Sequence, residues 1–204
     1  MSAAGGHGVE GRREHILDAA EACFVRNGFH RSTMQDLARE AGMSPGNIYR
    51  YFESKEAVVR GLAERDRARG RVLVAELQGA RDPRGALLRI LARYFTELSR
   101  EAAVLRIDLW SEATRNPDIA ALVEQGEAEA RTWLTETFAA LADAPDCDAA
   151  ALYERVGPLM KGILVSRALL PGYEPATAIA HLLAQIEAAL AGSRPVGAIP
   201  ETGR

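Results

Sequence analysis

Asn47 and Arg50 stand three residues apart in the stretch Ser44–Lys55, SPGNIYRYFESK. An asparagine amide can hold adenine through two hydrogen bonds, and an arginine guanidinium can do the same for guanine. Around them lie Thr33, Ser44, Tyr49, Tyr51 and Lys55. These are residue types that meet phosphate oxygens and fix position rather than read sequence. Pro45 and Gly46 are small enough to let the backbone come close to a duplex. The chemistry on offer is hydrogen bonding to base edges and phosphates, not the making or breaking of bonds.

The elements that must position these groups follow from local signals. Ser32 followed by Gln35 fits a capping box. Met34, Leu37, Ala38 and Ala41 then share one apolar helical face. Gly42 is the stop, since glycine takes the left-handed conformation without steric cost. Ser44 opens the next helix with Pro45 at its first position, where a missing N–H loses nothing. Ile48 and Phe52 can point inward together, which leaves Pro45, Gly46, Asn47, Tyr49, Arg50 and Tyr51 outward or to the side. Helix, glycine turn, helix is the helix-turn-helix plan, whose second helix enters the major groove. Its N-terminus carries partial positive charge that favours phosphate. By pattern alone, a capped helix pair is equally a structural element, and most such pairs bind nothing.

The run GFHRSTMQDLAREAGMSPGNIYRYFESKE resembles the signature of the tetracycline-repressor (TetR) family of transcriptional regulators, with matching positions from about Ile16 to Leu62. Ala19, Phe24, Gly28, Phe29, Thr33, Gly42, Tyr49, Phe52 and Lys55 are among them. The usual first residue of the family's Thr-Thr pair is Ser32 here, which keeps the hydroxyl. The resemblance implies base reading by Pro45, Gly46, Asn47 and Arg50. It implies phosphate contacts from Thr33, Ser44, Tyr49, Tyr51 and Lys55. It also implies an all-α fold, with an N-terminal three-helix DNA-binding domain and a C-terminal helical domain for ligand binding and dimerisation.

The 204 residues allow one or two domains with a sizeable core. Hydrophobic residues make up 48% and charged residues 26%, ordinary globular values. The net charge of −3 excludes a protein that coats nucleic acid by bulk attraction. Residues 1–80 carry 12 Lys/Arg against 11 Asp/Glu and residues 81–204 carry 13 against 17, so the positive balance lies at the N-terminal end. Two cysteines make no disulfide framework, and their spacing points to no zinc site. Cys23 reads as core and Cys147 as a surface thiol. No run reaches the roughly 18 apolar residues of a membrane span, and no signal peptide opens the chain, so a cytoplasmic protein without membrane contact is expected. No nucleophile–base pair, HExxH or phosphate loop is present, and His7, His15, His30 and His181 are scattered. Neither enzyme activity, cofactor nor metal is expected.

Taken in order, residues 1–11 read as a disordered tail, 12–60 as the helix-turn-helix domain, 61–192 as the effector and dimerisation domain and 193–204 as a second tail. Nine helices are expected. Helix 1 spans about 12–27, and helix 4 runs from Lys55 to about Gly79 behind a Ser54 cap. Asp82–Pro83 and Asn116–Pro117 each open a helix with a cap followed by proline, and ADAPDCD is a loop. Val156, Leu159, Ile163, Ile179, Leu182, Leu183 and Ile186 form apolar stripes on the last two helices. Each stripe fits a core face and a dimer face together, since a helix can be apolar on two faces when partners cover both; the resemblance implies a four-helix homodimer interface. It also implies a small-molecule effector in the second domain. Tyr94, Phe95, Arg106, Trp110, Trp133, Tyr153 and Met160 are the candidate lining residues, with ordinary core packing as the other reading of each. The resulting expectation is a homodimeric repressor of a near-palindromic operator, released by an apolar or amphiphilic effector. The alternative is a regulator without effector, or an activator, controlled by a partner protein or by abundance.

Overall fold

The computed structural model describes residues 4–143 and 147–192. Among these it has nine helices and no strand. They are α1 (Ala4–Asn27), α2 (Met34–Glu40), α3 (Pro45–Ile48), α4 (Lys55–Gln78), α5 (Pro83–Glu97), α6 (Arg100–Ala113), α7 (Pro117–Leu141), α8 (Ala149–Leu169) and α9 (Ala176–Leu190). No helix among the described residues is long and apolar enough to cross a membrane. The expected tail over 193–204 and part of the ADAPDCD loop lie outside the described residues.

Most boundaries sit where the cap residues put them. Asp82 accepts from the Gly85 N–H (2.9 Å), Ser54 from Ala57 (3.1 Å), and Asn116 from Asp118 and Ile119 (3.1 and 3.3 Å). The first boundary differs. α1 begins at Ala4 rather than near Arg12, so the expected tail over 1–11 is largely helix. Elongation adds one hydrogen bond per residue once a nucleus exists, and no proline interrupts the glycine-rich start.

The packing also divides the chain differently from the expected cut at residue 60. Among the described residues, one compact unit joins 4–72 with 99–126, and the other joins 73–98 with 127–143 and 147–192. Apolar residues beyond the helix-turn-helix explain the first. Leu105 of α6 and Ile119 of α7 are buried in the same core as Ile16, Leu17, Phe24, Leu37, Ile48 and Val58, with Leu109, Ala113, Leu122 and Val123 packed against it. The head therefore needs α6 to close its core. In the second unit, Leu77, Leu87, Ile90, Phe95, Phe138, Leu152, Val156, Leu182 and Ile186 form a separate core from the end of α4, α5, the rest of α7, α8 and α9.

Ion pairs set α4 along α1. Arg65 reaches Asp18 (2.6 Å), Glu21 (2.5 Å) and Glu14 (3.7 Å), and Arg13 reaches Glu64 (2.7 Å). Burial works against the Arg65 charge, but hydrogen bonding and attraction from the three carboxylates outweigh it and hold the guanidinium charged. Arg13 also lies over the Phe52 ring, 5.1 Å from its centroid, so it packs against the head as well as pairing with Glu64.

Gly61 allows the closest approach within this unit. A Cβ there would lie 2.8 Å from Phe52 Cε1 and 3.0 Å from Leu17 Cδ2, both on buried side chains. Overpacking costs about 1–3 kcal/mol, against about 1 kcal/mol gained in helix propensity. Gly61→Ala is expected to lower the urea midpoint despite the better helix former. A raised midpoint would mean that Phe52 and Leu17 can shift at no cost.

Candidate nucleic-acid interface

The head is built around three turns. Gly28 ends α1 at φ +80°, its N–H donating to Phe24 O (2.8 Å). The Phe29 ring then packs edge-on against Phe24, 5.3 Å between centroids. Ser32 turns inward and donates its hydroxyl to Gly28 O (2.7 Å). It is buried, so it cannot serve as the expected N-cap. Thr33 takes that role in the extended conformation. Its Oγ1 accepts from the Asp36 N–H (3.2 Å), while the Asp36 carboxylate accepts from the Thr33 N–H and hydroxyl (3.0 and 2.6 Å). The capping box is thus Thr33–Asp36, one residue later than Ser32–Gln35.

The second turn is a Schellman motif. Gly42, at φ +62°, donates to Arg39 O (3.2 Å), and Met43 donates to Ala38 O (2.9 Å). These bonds fix α3 against α2. Ser44 then caps α3 by position, with no side-chain hydrogen bond into the helix, so its exposed hydroxyl has no cap to hold. α3 itself is one turn long. The chain continues as a tight turn in which Tyr51 and Phe52 both donate to Ile48 O (2.9 and 3.0 Å). Gly46 and Asn47, weak helix formers, account for the short helix.

Ile48 and Phe52 are buried as expected, and Ser44, Pro45, Gly46, Tyr49 and Arg50 are exposed. Asn47 and Tyr51 are half-buried, and Tyr51 packs against the head core. Charge is distributed unevenly. Arg26 pairs with Glu40 (2.7 Å) and Arg39 with Asp36 (3.0 Å). Arg31 and Arg50 are exposed and make no ion pair among the described residues. Lys55, the remaining expected phosphate contact, is engaged within the head. It is half-buried, and its ammonium donates to Phe29 O (2.9 Å) and His30 O (3.3 Å).

Two family models match this chain: one for bacterial regulatory proteins of the tetR family over residues 16–62, and one for the C-terminal part of BetI-type transcriptional repressors over residues 83–191. The chain belongs to the TetR family. Among its curated relatives, the HTH-type transcriptional regulator UidR of Escherichia coli strain K12 is 30% identical over 117 residues, covering 55% of this chain and 57% of UidR. The chain thus spans little more than half the length of that relative. A putative transcriptional regulator from Saccharomonospora viridis, solved in complex with choline, superposes at TM-score 0.72 with 25% identity over 86% of this chain and 95% of that one. The fatty acid degradation regulator FadR from Bacillus halodurans shares the fold at TM-score 0.74 and 19% identity, covering 90% and 96% of the two chains. These relatives are transcriptional regulators, not enzymes.

The remaining candidates fall in both units. Arg106 and Trp110 lie in the first, where Arg106 reaches Asp66 of α4 (3.4 Å). Tyr94, Phe95, Trp133, Tyr153 and Met160 lie in the second. Phe95 is buried core with Tyr94 at its edge (5.0 Å). Tyr153 lies under the Arg131 guanidinium (5.4 Å), and burial, then Glu127, push its phenol up. Of these, only Trp133 borders a described concavity, an open one along α7 with Ala128, Glu129, Thr132 and Glu136. The residues of the apolar stripes on α8 and α9 divide. Val156, Ile163, Ile179, Leu182 and Ile186 are buried in the second unit's own core, because α8 and α9 turn these faces toward each other and α5. Leu159 and Leu183 remain half-exposed.

The residues absent from the sequence reading of the head are Asp108, Glu112 and Asn116. Asp108 accepts from the Phe29 N–H, Glu112 lies 3.7 Å from His30 Nδ1, and Asn116 donates to Glu56 (3.2 Å). Their four-residue spacing was the available signal, since it puts Asp108 and Glu112 on one face of α6.

The Asp36 carboxyl is held below its ordinary range by the Thr33 hydroxyl first and the Thr33 N–H second, with Arg39 adding a smaller pull against desolvation. A depressed folded-state pKa contributes stability that is complete above the unfolded value, about 3.9. It is lost as pH falls through the lower folded-state value. The stability difference between the wild-type chain and Asp36→Ala is therefore expected to be full at pH 6 and smaller at pH 3.5, read by urea titration. A difference that grew on acidification would reverse the assignment.

Proposed function

We propose that this TetR-family regulator is a homodimeric repressor that binds a near-palindromic operator through α3 and leaves it when a small amphiphile binds the helical body. The observation that carries the DNA reading is the run Ser44–Arg50, in which Ser44, Pro45, Gly46, Tyr49 and Arg50 are exposed around the buried Ile48. It is held by the Schellman turn and ends in an arginine with no ion pair among the described residues. In this reading Asn47 and Arg50 contact base edges, and Pro45 and Gly46 permit close approach. Thr33, Ser44, Tyr49 and Tyr51 position the head on phosphates. Two heads related by a two-fold axis meet half-sites about one helical turn apart, 34–36 Å. Contact made twice offsets the net charge of −3.

Leu159 and Leu183, with the exposed Leu169 and Leu170 at the end of α8, are the apolar groups left for a second copy after the core stripe is subtracted. For the effector, Trp133 beside Glu129 and Glu136 offers an aromatic face and negative charge. Cationic amphiphiles recognise that combination, and the Saccharomonospora viridis regulator of similar fold holds choline. An effector that prefers one head arrangement shifts the population away from the operator. A coupling of about 1–3 kcal/mol changes affinity roughly 5–150-fold.

Selection from a random DNA pool at physiological salt tests the reading. A near-palindrome with half-sites one turn apart is expected. On it, Asn47→Ala or Arg50→Ala is expected to relax preference at one base pair per half-site, at about 1–3 kcal/mol if the contact is bidentate. A folded protein that selected no sequence would overturn the DNA reading. Equal losses on all sequences from both variants would make Asn47 and Arg50 phosphate contacts.

A further inference from the structure

Phe29 is gripped at both of its backbone polar groups. Its N–H donates to the Asp108 carboxylate of α6, and its carbonyl accepts from the Lys55 ammonium of α4 at 2.9 Å. The same ammonium donates to His30 O (3.3 Å) and lies 4.5 Å from the centroid of the Phe29 ring. One turn beyond Asp108, the buried Glu112 carboxylate approaches His30 Nδ1 (3.7 Å) and is paired with Arg115 (2.7 Å). Asn116 then ties Glu56, the neighbour of Lys55 in the chain, at 3.2 Å. All these residues belong to one compact unit. Two helices of opposite local charge thus hold one corner of the chain, four residues before Thr33 starts α2.

We propose that Asp108 and Lys55 form a two-sided clamp on Phe29 that keeps the α1–α2 corner in the DNA-binding arrangement. Asp108, far from the helix-turn-helix in sequence, is then a positioning residue for operator binding. Lys55 acts through Phe29 rather than through phosphate. The inference rests on the DNA-binding reading above. Its physical logic is short. The Schellman turn couples α3 to α2, and the Thr33–Asp36 box fixes where α2 starts, so a tilt at Phe29 is carried to Asn47 and Arg50. Released from the clamp, the head occupies the competent arrangement for a smaller fraction of the time, and apparent affinity falls by that fraction. A carboxylate is the strong acceptor for this purpose, because hydrogen bonds to an ionised group are shorter and stronger than neutral ones.

The sign of the effect separates this role from that of a bystander. Removing a surface carboxylate near a polyanion raises affinity or leaves it unchanged, whereas removing the clamp lowers it. With the selected operator as probe, Asp108→Ala is expected to weaken binding about tenfold or more, the size of one lost charge-assisted hydrogen bond, at an unchanged dependence on salt. Asp108→Asn keeps an acceptor oxygen and is expected to recover most of the loss. Lys55→Ala is expected to weaken binding with the salt slope also unchanged. A slope flattened by about one unit would make Lys55 a phosphate contact and overturn its half of the proposal. Equal or tighter binding by Asp108→Ala would overturn the other half. Amide exchange keeps failure of the clamp distinct from failure of the DNA reading. In Asp108→Ala the Phe29 N–H is expected to exchange faster while the α2 amides stay protected, whether or not the protein selects DNA. Unchanged Phe29 protection would remove the clamp itself.

Discussion

The hold on Phe29 is the constraint from which the head takes its shape. Its ring is core, edge-on to Phe24, and its N–H and carbonyl are bound by side chains of opposite charge from α6 and α4. A buried backbone group without a partner is costly, and the corner after Gly28 leaves the helix ladder with its groups still to be satisfied. Here Asp108 satisfies the Phe29 N–H, and Lys55 shares the Phe29 carbonyl with the Ser32 backbone N–H (3.3 Å). As a result, the position of α2 depends on a residue 79 places further along the chain.

From that corner onward, local chemistry carries the order outward. Thr33 and Asp36 close one end of α2, and Gly42 closes the other. Ser44 and Pro45 open α3 without a side-chain cap. The head thus ends in a short run whose hydroxyl, amide and guanidinium groups are not consumed by the fold. Several other cations of the head are paired. Arg65 is surrounded by Glu14, Asp18 and Glu21, and Arg26 and Arg39 are paired. In a chain of net charge −3, leaving Arg31 and Arg50 exposed without an ion pair concentrates the attraction for an anion on the head.

The second unit follows a different logic. Its apolar stripes at helical spacing on α8 and α9 are used within the subunit, with Val156, Leu182 and Ile186 fully buried. Periodicity reports that a face is covered but not by what. A core partner and a second subunit leave the same pattern in sequence. The aromatic candidates illustrate the same ambiguity. Phe95 fills core, whereas Tyr94 is exposed and Trp133 half-buried beside an open concavity.

Helix identity, most helix ends and the reading head were legible in the sequence, because caps, glycine stops and 3.6-residue periodicity act over four or five residues. Asp82, Asn116, Ser54, Gly28 and Gly42 all do in the structure what their residue types dictate. The choice between Ser32 and Thr33 as cap was not legible, since both carry hydroxyls and only the inward turn toward Gly28 O separates them. The roles of Lys55 and Asp108, the membership of α6 in the head and the inward use of the α8–α9 stripes were likewise decided only by tertiary structure. Each depends on groups dozens of residues apart meeting in space. The sequence alone determined what each segment can form and which side chains can bind. Packing decided which of those side chains the fold itself consumes.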